Sequence, residues 1–285
     1  MNKIASESAS PFMPVRGIIR SIIPMVEDNV LFQISLPENS LEPLQPGQFV
    51  QLWVPGVGES PISVCSAYRH GKLELTVRKV GRVTSALLQM KEGDWVGLRG
   101  PYGVGFPVEE FKGKNVCLIA GGLGAAPMRS VCQYLLDRRE EYGRITLIYG
   151  MRHSNDLLFR AELTLLLARK DLEVFIAAEE LDGPELPPIA LQLGRVTDMV
   201  KLAHITPDFE VAVCGPPIMY SYVIDELKKK GVAESNIWLS LERQMKCGIG
   251  KCGHCFVGGL LTCKAGPVFN LSKLRLYPEV VECKR

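Results

Sequence analysis

Asn115-Val-Cys-Leu-Ile-Ala120-Gly121-Gly122-Leu123-Gly124-Ala125-Ala126-Pro127 carries a continuous apolar run into a glycine-rich turn and on into an amphipathic stretch ending near Arg138. Glycines after a strand and before a helix let phosphates approach the backbone, and the helix N-terminus favours their charge. Gly121, Gly122 and Gly124 are therefore candidate contacts of a dinucleotide. Pro127 replaces the third glycine of the usual G-x-G-x-x-G and suits a helix's first turn. Strands and helices go on alternating, which implies a parallel sheet. Strands are expected at Ile145–Tyr149, Leu172–Ala177, Glu210–Val213 and Ile237–Leu241, the last finishing the sheet. Helices are expected across Leu157–Ala168, near Val196–Ala203, and from Ile218 to Lys230, with a Pro-rich loop at Asp182–Pro188. Ligands in such sheets sit beyond the carboxyl ends of strands, where both Gly122 and Cys214-Gly215-Pro216 fall. The other reading of Cys214 is a small buried apolar residue.

The chain before Lys114 has a different grammar. Short β-branched runs at Val15–Ile23, Asn29–Leu36, Gln48–Val54, Pro61–Ala67, Lys72–Lys79 and Trp95–Arg99 are separated by turn residues such as Pro46-Gly47 and His70-Gly71. Leu73, Leu75 and Val77 alternate with Glu74, Thr76 and Arg78, the period of a half-buried strand. Six short strands in so few residues favour a small closed antiparallel barrel, interrupted by a helix at Val83–Met90 and ended by a turn at Gly100–Gly103. Gly81-Arg82-Val83-Thr84-Ser85 places a glycine, a cation and hydroxyls at that helix's start, an anion site suited to a pyrophosphate. Pro61-Ile62-Ser63-Val64-Cys65-Ser66 places hydroxyls along a strand, where they are expected to share one side; ordinary surface is the alternative reading.

Near the end, Cys247, Cys252, Cys255 and Cys263 are spaced C-x4-C-x2-C-x7-C, and the first three legs match the plant-type [2Fe–2S] loop. Gly248, Gly250 and Gly253 let the backbone curl and aim N–H groups at sulfur, while Lys246 and Lys251 offset negative charge. A structural zinc knuckle is the alternative, but such sites usually pair two C-x2-C knuckles and only one is present. Nine cysteines, four of them clustered, indicate a reducing compartment and metal chemistry rather than a disulfide frame.

Composition narrows the classes further. At 285 residues, 47% hydrophobic and 22% charged, the chain reads as a globular protein of two domains plus an appendage. Residues 1–13 read as a flexible start, 14–111 as the barrel, 112–241 as the α/β domain and 242–285 as the cysteine module and tail. A net charge of +2 with no long basic run gives no reason to invoke nucleic acid. The opening ten residues read as too polar for a signal peptide, and no apolar run approaches the roughly 20 residues of a membrane span. A cytoplasmic location is expected.

These pieces in this order resemble the ferredoxin–NADP+ reductase superfamily over roughly residues 14–241. The added cysteines narrow the likeness to its iron–sulfur-containing electron-transfer subunits: the gamma subunits of cytoplasmic nickel–iron hydrogenases and sulfhydrogenases, the NADH-binding subunit of anaerobic sulfite reductase, and the electron-transfer subunit of dihydroorotate dehydrogenase. The stretches Glu242–Cys255 and Cys263–Phe269 are similar to the hydrogenase gamma type, and Cys263 follows sooner than in the dihydroorotate type. The resemblance implies FAD on the barrel, a nicotinamide nucleotide on the α/β domain, and hydride uptake by the flavin followed by single-electron delivery to a [2Fe–2S] cluster held by the four cysteines. In that family an R-x-Y-S strand holds the flavin. Here Ser60-Pro61-Ile62-Ser63 and Val64 stand there without the arginine and tyrosine, so Ser63 keeps the hydroxyl's role and Arg82 supplies phosphate charge. Gly81, Thr84 and Ser85 match the flavin-phosphate helix, Gly122, Gly124 and Pro127 the nucleotide loop, and Cys214, Gly215 and Pro216 the segment near the nicotinamide.

Glu179, after strand Leu172–Ala177, would repel a 2′-phosphate and favours NADH over NADPH, although Arg152 is close enough to serve that phosphate. No acid–base dyad is required, and His153, His204 and His254 read as surface or structural, with His254 also placed to tune a cluster. The implied partners are the catalytic and iron–sulfur subunits of a larger redox complex, since no motif here binds hydrogen, sulfite or orotate. The apolar tail residues Leu271, Leu274, Leu276 and Tyr277 suit a flavin cover, a docking face or a plain surface helix. The competing readings are a stand-alone reductase of a ferredoxin or oxygenase, and a non-enzymatic zinc-binding regulator.

Overall fold

A computed structural model describes residues 10–182 and 191–274. Most of the Pro-rich loop, the first nine residues, and Leu276 and Tyr277 lie outside them. Two sheets and a small cysteine module make up the chain.

The first sheet contains β1 (Val15–Val26), β2 (Asn29–Ser35), β3 (Phe49–Val54), β4 (Gly58–Ser63), β5 (Lys72–Arg78) and β6 (Trp95–Tyr102), in the spatial order β4-β3-β6-β1-β2-β5. Every pairing is antiparallel. Its two edges meet through a bridge between Val64 and Leu75 and a bond from Cys65 N–H to the Glu74 carbonyl at 3.3 Å, which closes the barrel. Leu73, Leu75 and Val77 point inward with Phe32, Val50, Leu52 and Leu98. Three boundaries differ from expectation. The fourth strand starts at Gly58 and ends at Ser63, so Cys65 and Ser66 belong to the buried return towards β5. The sixth runs on through Gly100-Pro101 to Tyr102, where its pairing with Phe49 continues it past the expected turn. The intervening helix, α1, spans Arg82–Leu87.

The second sheet is β10-β9-β8-β7-β11-β12-β15, from β7 (Asn115–Gly121), β8 (Ile145–His153), β9 (Glu173–Glu180), β10 (Leu191–Leu193), β11 (Phe209–Cys214), β12 (Ile237–Ser240) and β15 (Val268–Asn270). All pairs are parallel except β12 with β15. Helices α2 (Ala125–Asp137) and α3 (Arg160–Leu167) cover one face, and α4 (Val196–Leu202) and α5 (Pro217–Lys229) the other. This explains the unbroken apolar run of β7: Val116, Leu118 and Ala120 bury against α2, while Cys117 and Ile119 bury against α5. Strand β12 does not finish the sheet. The chain leaves for the cysteine module, with the hairpin β13 (Phe256–Val257) and β14 (Leu260–Leu261) and the turn α6 (Thr262–Ala265), then returns as β15 to the sheet edge. A final turn, α7, spans Leu271–Leu274.

Side chains lock the barrel to the α/β domain. Arg129 on α2 donates to the Cys65 carbonyl (2.8 Å), to Glu74 on β5 (2.6 Å) and to Glu162 on α3 (2.5 Å). No described helix is long and apolar enough to cross a membrane.

Candidate cofactor cleft and cysteine centre

A cleft of about 320 Å³ opens where the barrel, the carboxyl ends of β7 and β11, and the segment after β12 converge. Strand β4 and Phe49 form one wall, Thr76, Arg78 and Thr84 another, and Leu123, Ala126, Pro127 and Cys214 a third; Glu242, Arg243 and Met245 close it on the module side. Pro61, Ile62, Ser63, Thr84, Pro127 and Cys214 are thus brought together as the sequence suggested. The other expected contacts are distributed differently. Val64 is fully buried in the barrel core. Ser63 and Ser66 do not share a side, because they are three residues apart and the strand ends between them. The Ser66 hydroxyl is buried and accepts the Glu74 N–H at 3.0 Å.

Gly81, Arg82 and Ser85 are not among the cleft's lining residues. The Thr84 hydroxyl oxygen accepts the N–H groups of Val80 and Gly81, both at 3.0 Å, and so caps its own short helix. The cation on this wall is Arg78 rather than Arg82: it is exposed at the end of β5 and carries no ion pair among the described residues. Its place in an alternating strand concealed it in the sequence.

The glycine loop holds a second surprise. A Cβ on Gly124 would stand 2.2 Å from the Cys214 carbonyl oxygen, and one on Gly121 would stand 2.4 Å from the Met219 sulfur. Both glycines are therefore required where the loop packs on the Cys214–Met219 turn. Gly122, with φ +51°, is the one that faces open space. Gly215 and Pro216 form the opposing side of that contact. Burial pushes the Cys214 thiol up to about 12, so it stays protonated and non-nucleophilic at neutral pH. Glu179 lies at the end of β9, exposed, with the Arg195 guanidinium 3.2 Å away. Arg152 stands 3.6 Å from Glu180. His153 is 2.8 Å from Asp182.

The four cysteines form two pairs. Cys247 is the neighbour that acts on the Cys252 thiol, and Cys255 the one that acts on Cys263. Among the described residues, no three of these sulfurs lie within 4.8 Å of one another. Backbone donors converge on them: Gly250 N–H to the Cys263 sulfur (3.1 Å), Lys251 and Cys252 N–H to that of Cys247 (3.3 and 3.4 Å), and Cys263 N–H to that of Cys255 (3.5 Å). Gly248, Gly250 and Gly253 adopt φ of +75 to +76°, the left-handed turns that aim these donors inward. Backbone N–H groups from His254 and Cys247 hold the exposed Cys252 thiol down to about 7, whereas burial raises Cys263 to about 12.

Two contacts join this centre to the cleft. Phe49 and Met245, which line the cleft, pack against Cys255 and Cys263 in one apolar cluster. Beside it, the buried Arg99 grips Glu59 through two bonds (2.7 and 2.6 Å) and donates to the Pro11 and Cys247 carbonyls and the Tyr102 hydroxyl (3.1, 3.2 and 2.9 Å). Pro11, inside the start that was expected to be flexible, is therefore tied down.

A barrel, a parallel sheet, a cleft between them and a flanking cysteine centre define a flavin- and nicotinamide-dependent oxidoreductase with an appended iron–sulfur module. Residues 18–105 match the oxidoreductase FAD-binding domain, 118–225 the oxidoreductase NAD-binding domain, and 242–275 the iron–sulfur cluster binding domain of dihydroorotate dehydrogenase B. The chain is 44% identical over 281 residues to sulfhydrogenase 1 subunit gamma of Pyrococcus furiosus, covering 94% of each chain. It is 37% identical over 229 residues to a probable dihydroorotate dehydrogenase B (NAD(+)) electron transfer subunit of the same organism, covering 80% of this chain and 81% of that one. Its fold is that of a chain of the NADH-dependent reduced ferredoxin-NADP oxidoreductase, with TM-score 0.72, 24% identity and 94% of each chain covered. The chain belongs to the family that contains the sulfhydrogenase gamma subunits and the electron-transfer subunits of dihydroorotate dehydrogenase B. It is an FAD-, nicotinamide- and iron–sulfur-binding oxidoreductase.

Proposed function

We propose that this chain is the NADH-oxidising subunit of a multisubunit redox complex of hydrogenase type, passing electrons between a nicotinamide, FAD and a [2Fe–2S] cluster to or from a catalytic partner. When bound, the flavin takes an electron pair as hydride and releases it singly, and the cluster accepts one electron at a time. The residues fit these groups. The observation that carries the reading is the continuity of the cleft with the cysteine centre through Phe49 and Met245, which supports a flavin bound next to the cluster. Pro61 and Ser63 supply the wall for a flavin ring, and Arg78 supplies a cation for its pyrophosphate. Gly122 and the start of α2 supply an approach for the nicotinamide nucleotide.

The cysteines suit two irons better than one zinc. Tetrahedral zinc at about 2.3 Å from each sulfur would draw all four sulfurs within about 4 Å of one another. The four sulfurs are not drawn into such a foursome, and two pairs would each hold one iron of a two-iron cluster. The converging N–H groups stabilise the thiolate form and anionic sulfur. Glu179 supports NADH, because a carboxylate there repels a 2′-phosphate and accepts a ribose hydroxyl; Arg195 beside it tempers the repulsion. The observed identity to sulfhydrogenase gamma subunits supports the hydrogenase-type partner over a free-standing role.

Metal analysis of the anaerobically purified chain tests this directly. About two irons and two acid-labile sulfides per chain are expected, with loss of both in Cys263→Ser while FAD is retained. One zinc and no sulfide would overturn the reading.

A further inference from the structure

Gln51 stands in the middle of β3 with its side chain on the outer face of the barrel. Val50, Leu52 and Val54 turn into the barrel core, so Phe49, Gln51 and Trp53 turn the other way. On that face Gln51 pairs across the sheet with Pro61 on β4 and with Arg99 on β6. Three of its neighbours touch one stretch, Met245–Cys247, which leads from the cleft to the first cysteine of the centre. Phe49 packs with Met245 in the apolar cluster that includes Cys255 and Cys263. Trp53 lines one groove with Lys246. Arg99 donates to the Cys247 carbonyl at 3.2 Å. That stretch therefore roofs Gln51, which is 0% exposed.

Neither Oε1 nor Nε2 of Gln51 has a hydrogen-bond partner among the described residues, and no other described side chain has two such buried atoms. Buried polar groups nearby are paired: Arg99 holds Glu59 at 2.7 Å, and the Thr262 hydroxyl donates to the Cys255 carbonyl at 2.9 Å. A dry amide without a partner is less stable than an apolar side chain of the same shape, so packing alone does not call for glutamine here. The acceptors that the roof brings to this spot are sulfurs. Cys247 ends the roof, and Cys255 lies against Phe49.

From this we infer that Gln51 tunes the iron–sulfur centre: its amide N–H donates to the Cys247 side of the loaded cluster, where thiolate and sulfide carry negative charge. The inference rests on the two-iron reading and adds to it a side chain that sets the potential. A reduced cluster has one more negative charge than an oxidised one, so an N–H aimed at its sulfur favours the reduced form and raises the potential. Backbone donors meet the sulfurs from the cysteine loop itself. Gln51 comes from the barrel instead, beside Pro61 on the cleft wall.

The test is an anaerobic redox titration of the full chain with FAD and cluster loaded, read by electron paramagnetic resonance for the cluster and visible absorption for the flavin. Gln51→Met fills the same space without the donor, and Gln51→Glu keeps the shape but replaces the N–H with a carboxylate oxygen. In Gln51→Met the equilibrium constant for reducing the cluster is expected to fall at least about tenfold, which is about 59 mV for one electron. It should fall further in Gln51→Glu, while the flavin midpoint stays with the wild type. Electron–nuclear double resonance of the reduced wild-type cluster should show one exchangeable proton that both variants lack. If one variant does not hold its cluster, the other decides by the same two readouts. Loss of the cluster from both would assign Gln51 to assembly and overturn the tuning role, as would an unmoved cluster potential or a shift of the flavin alone. Zinc in place of iron, seen by metal analysis before any titration, ends the two-iron reading and this inference with it. An intact cluster whose potential ignores Gln51 leaves that reading standing and removes only the tuning role.

Discussion

Replacing Arg99 by methionine removes the one side chain that joins Glu59, the N-terminal Pro11, Tyr102 and the Cys247 carbonyl. The guanidinium is 3% exposed and the Glu59 side chain 28%. Breaking a buried ion pair by removing one partner costs about 3–5 kcal/mol, because the other charge is left stranded. Glu59 retains some water, so the lower end applies, about 3 kcal/mol. At about 2–4 °C per kcal/mol for domains of this size, the melting temperature should fall by about 9 °C. Visible circular dichroism of the cluster, followed on heating, reports the loss at the place where Cys247 is held. The double variant Glu59→Leu/Arg99→Met strands no charge, so it should recover about 2 kcal/mol relative to the sum of the single changes. A single Arg99→Met that melts with the wild type, or strict additivity in the cycle, would refute the view that this pair anchors the cluster loop to the barrel.

Three further outcomes follow from the cleft and the core. Arg78→Ala should weaken FAD retention at least about tenfold in a dilution assay, the value of one charge-assisted bond, whereas Arg82→Ala should leave it unchanged; the reverse order would restore the role that the sequence gave to Arg82. Glu179→Ser should shift the kcat/KM ratio towards NADPH by about tenfold, and no shift would show that Arg195, not Glu179, governs the choice. Burial raises Cys65 to about 11 and Cys132 and Cys214 to about 12. These thiols are neutral when folded but ionise near their ordinary pKa of about 9 once unfolded, so their stabilising contribution is complete below pH 9 and is lost as pH rises towards 12. Melting temperature should therefore drop between pH 8 and pH 10, less so in Cys132→Ala, and a flat profile for both would contradict this.

What the sequence disclosed and what it hid divide along physical lines. The Asn115–Pro127 segment was legible because strand, turn and helix are consecutive, so local pattern and final packing agree. The cysteine spacing was legible for the same reason, since three ligands and their glycines lie in one short loop. Gly121 and Gly124 were found but for an incomplete reason: their want of a Cβ answers to Cys214 and Met219, distant in the chain. Arg78 and Arg99 were hidden, since each sits in an ordinary-looking strand and only the fold brings Arg78 to the cleft and Arg99 to Glu59 and the Cys247 carbonyl. Strand β15 could not be read from three residues that pair solely because the cysteine module returns to the edge of β12. The expectation for Ser63 and Ser66 ignored the period of two, which the end of β4 at Ser63 makes plain.

An anaerobic titration of the purified holoprotein with NADH, observed by visible absorption and electron paramagnetic resonance, is the most direct test of the account's core. Consumption of about three electrons per chain is expected, two by the flavin and one by the cluster, with a weaker response to NADPH. Flavin bleaching with a cluster that stays oxidised, or a colourless protein that responds to neither nucleotide, would contradict electron transfer from the cleft to the Cys247–Cys263 centre.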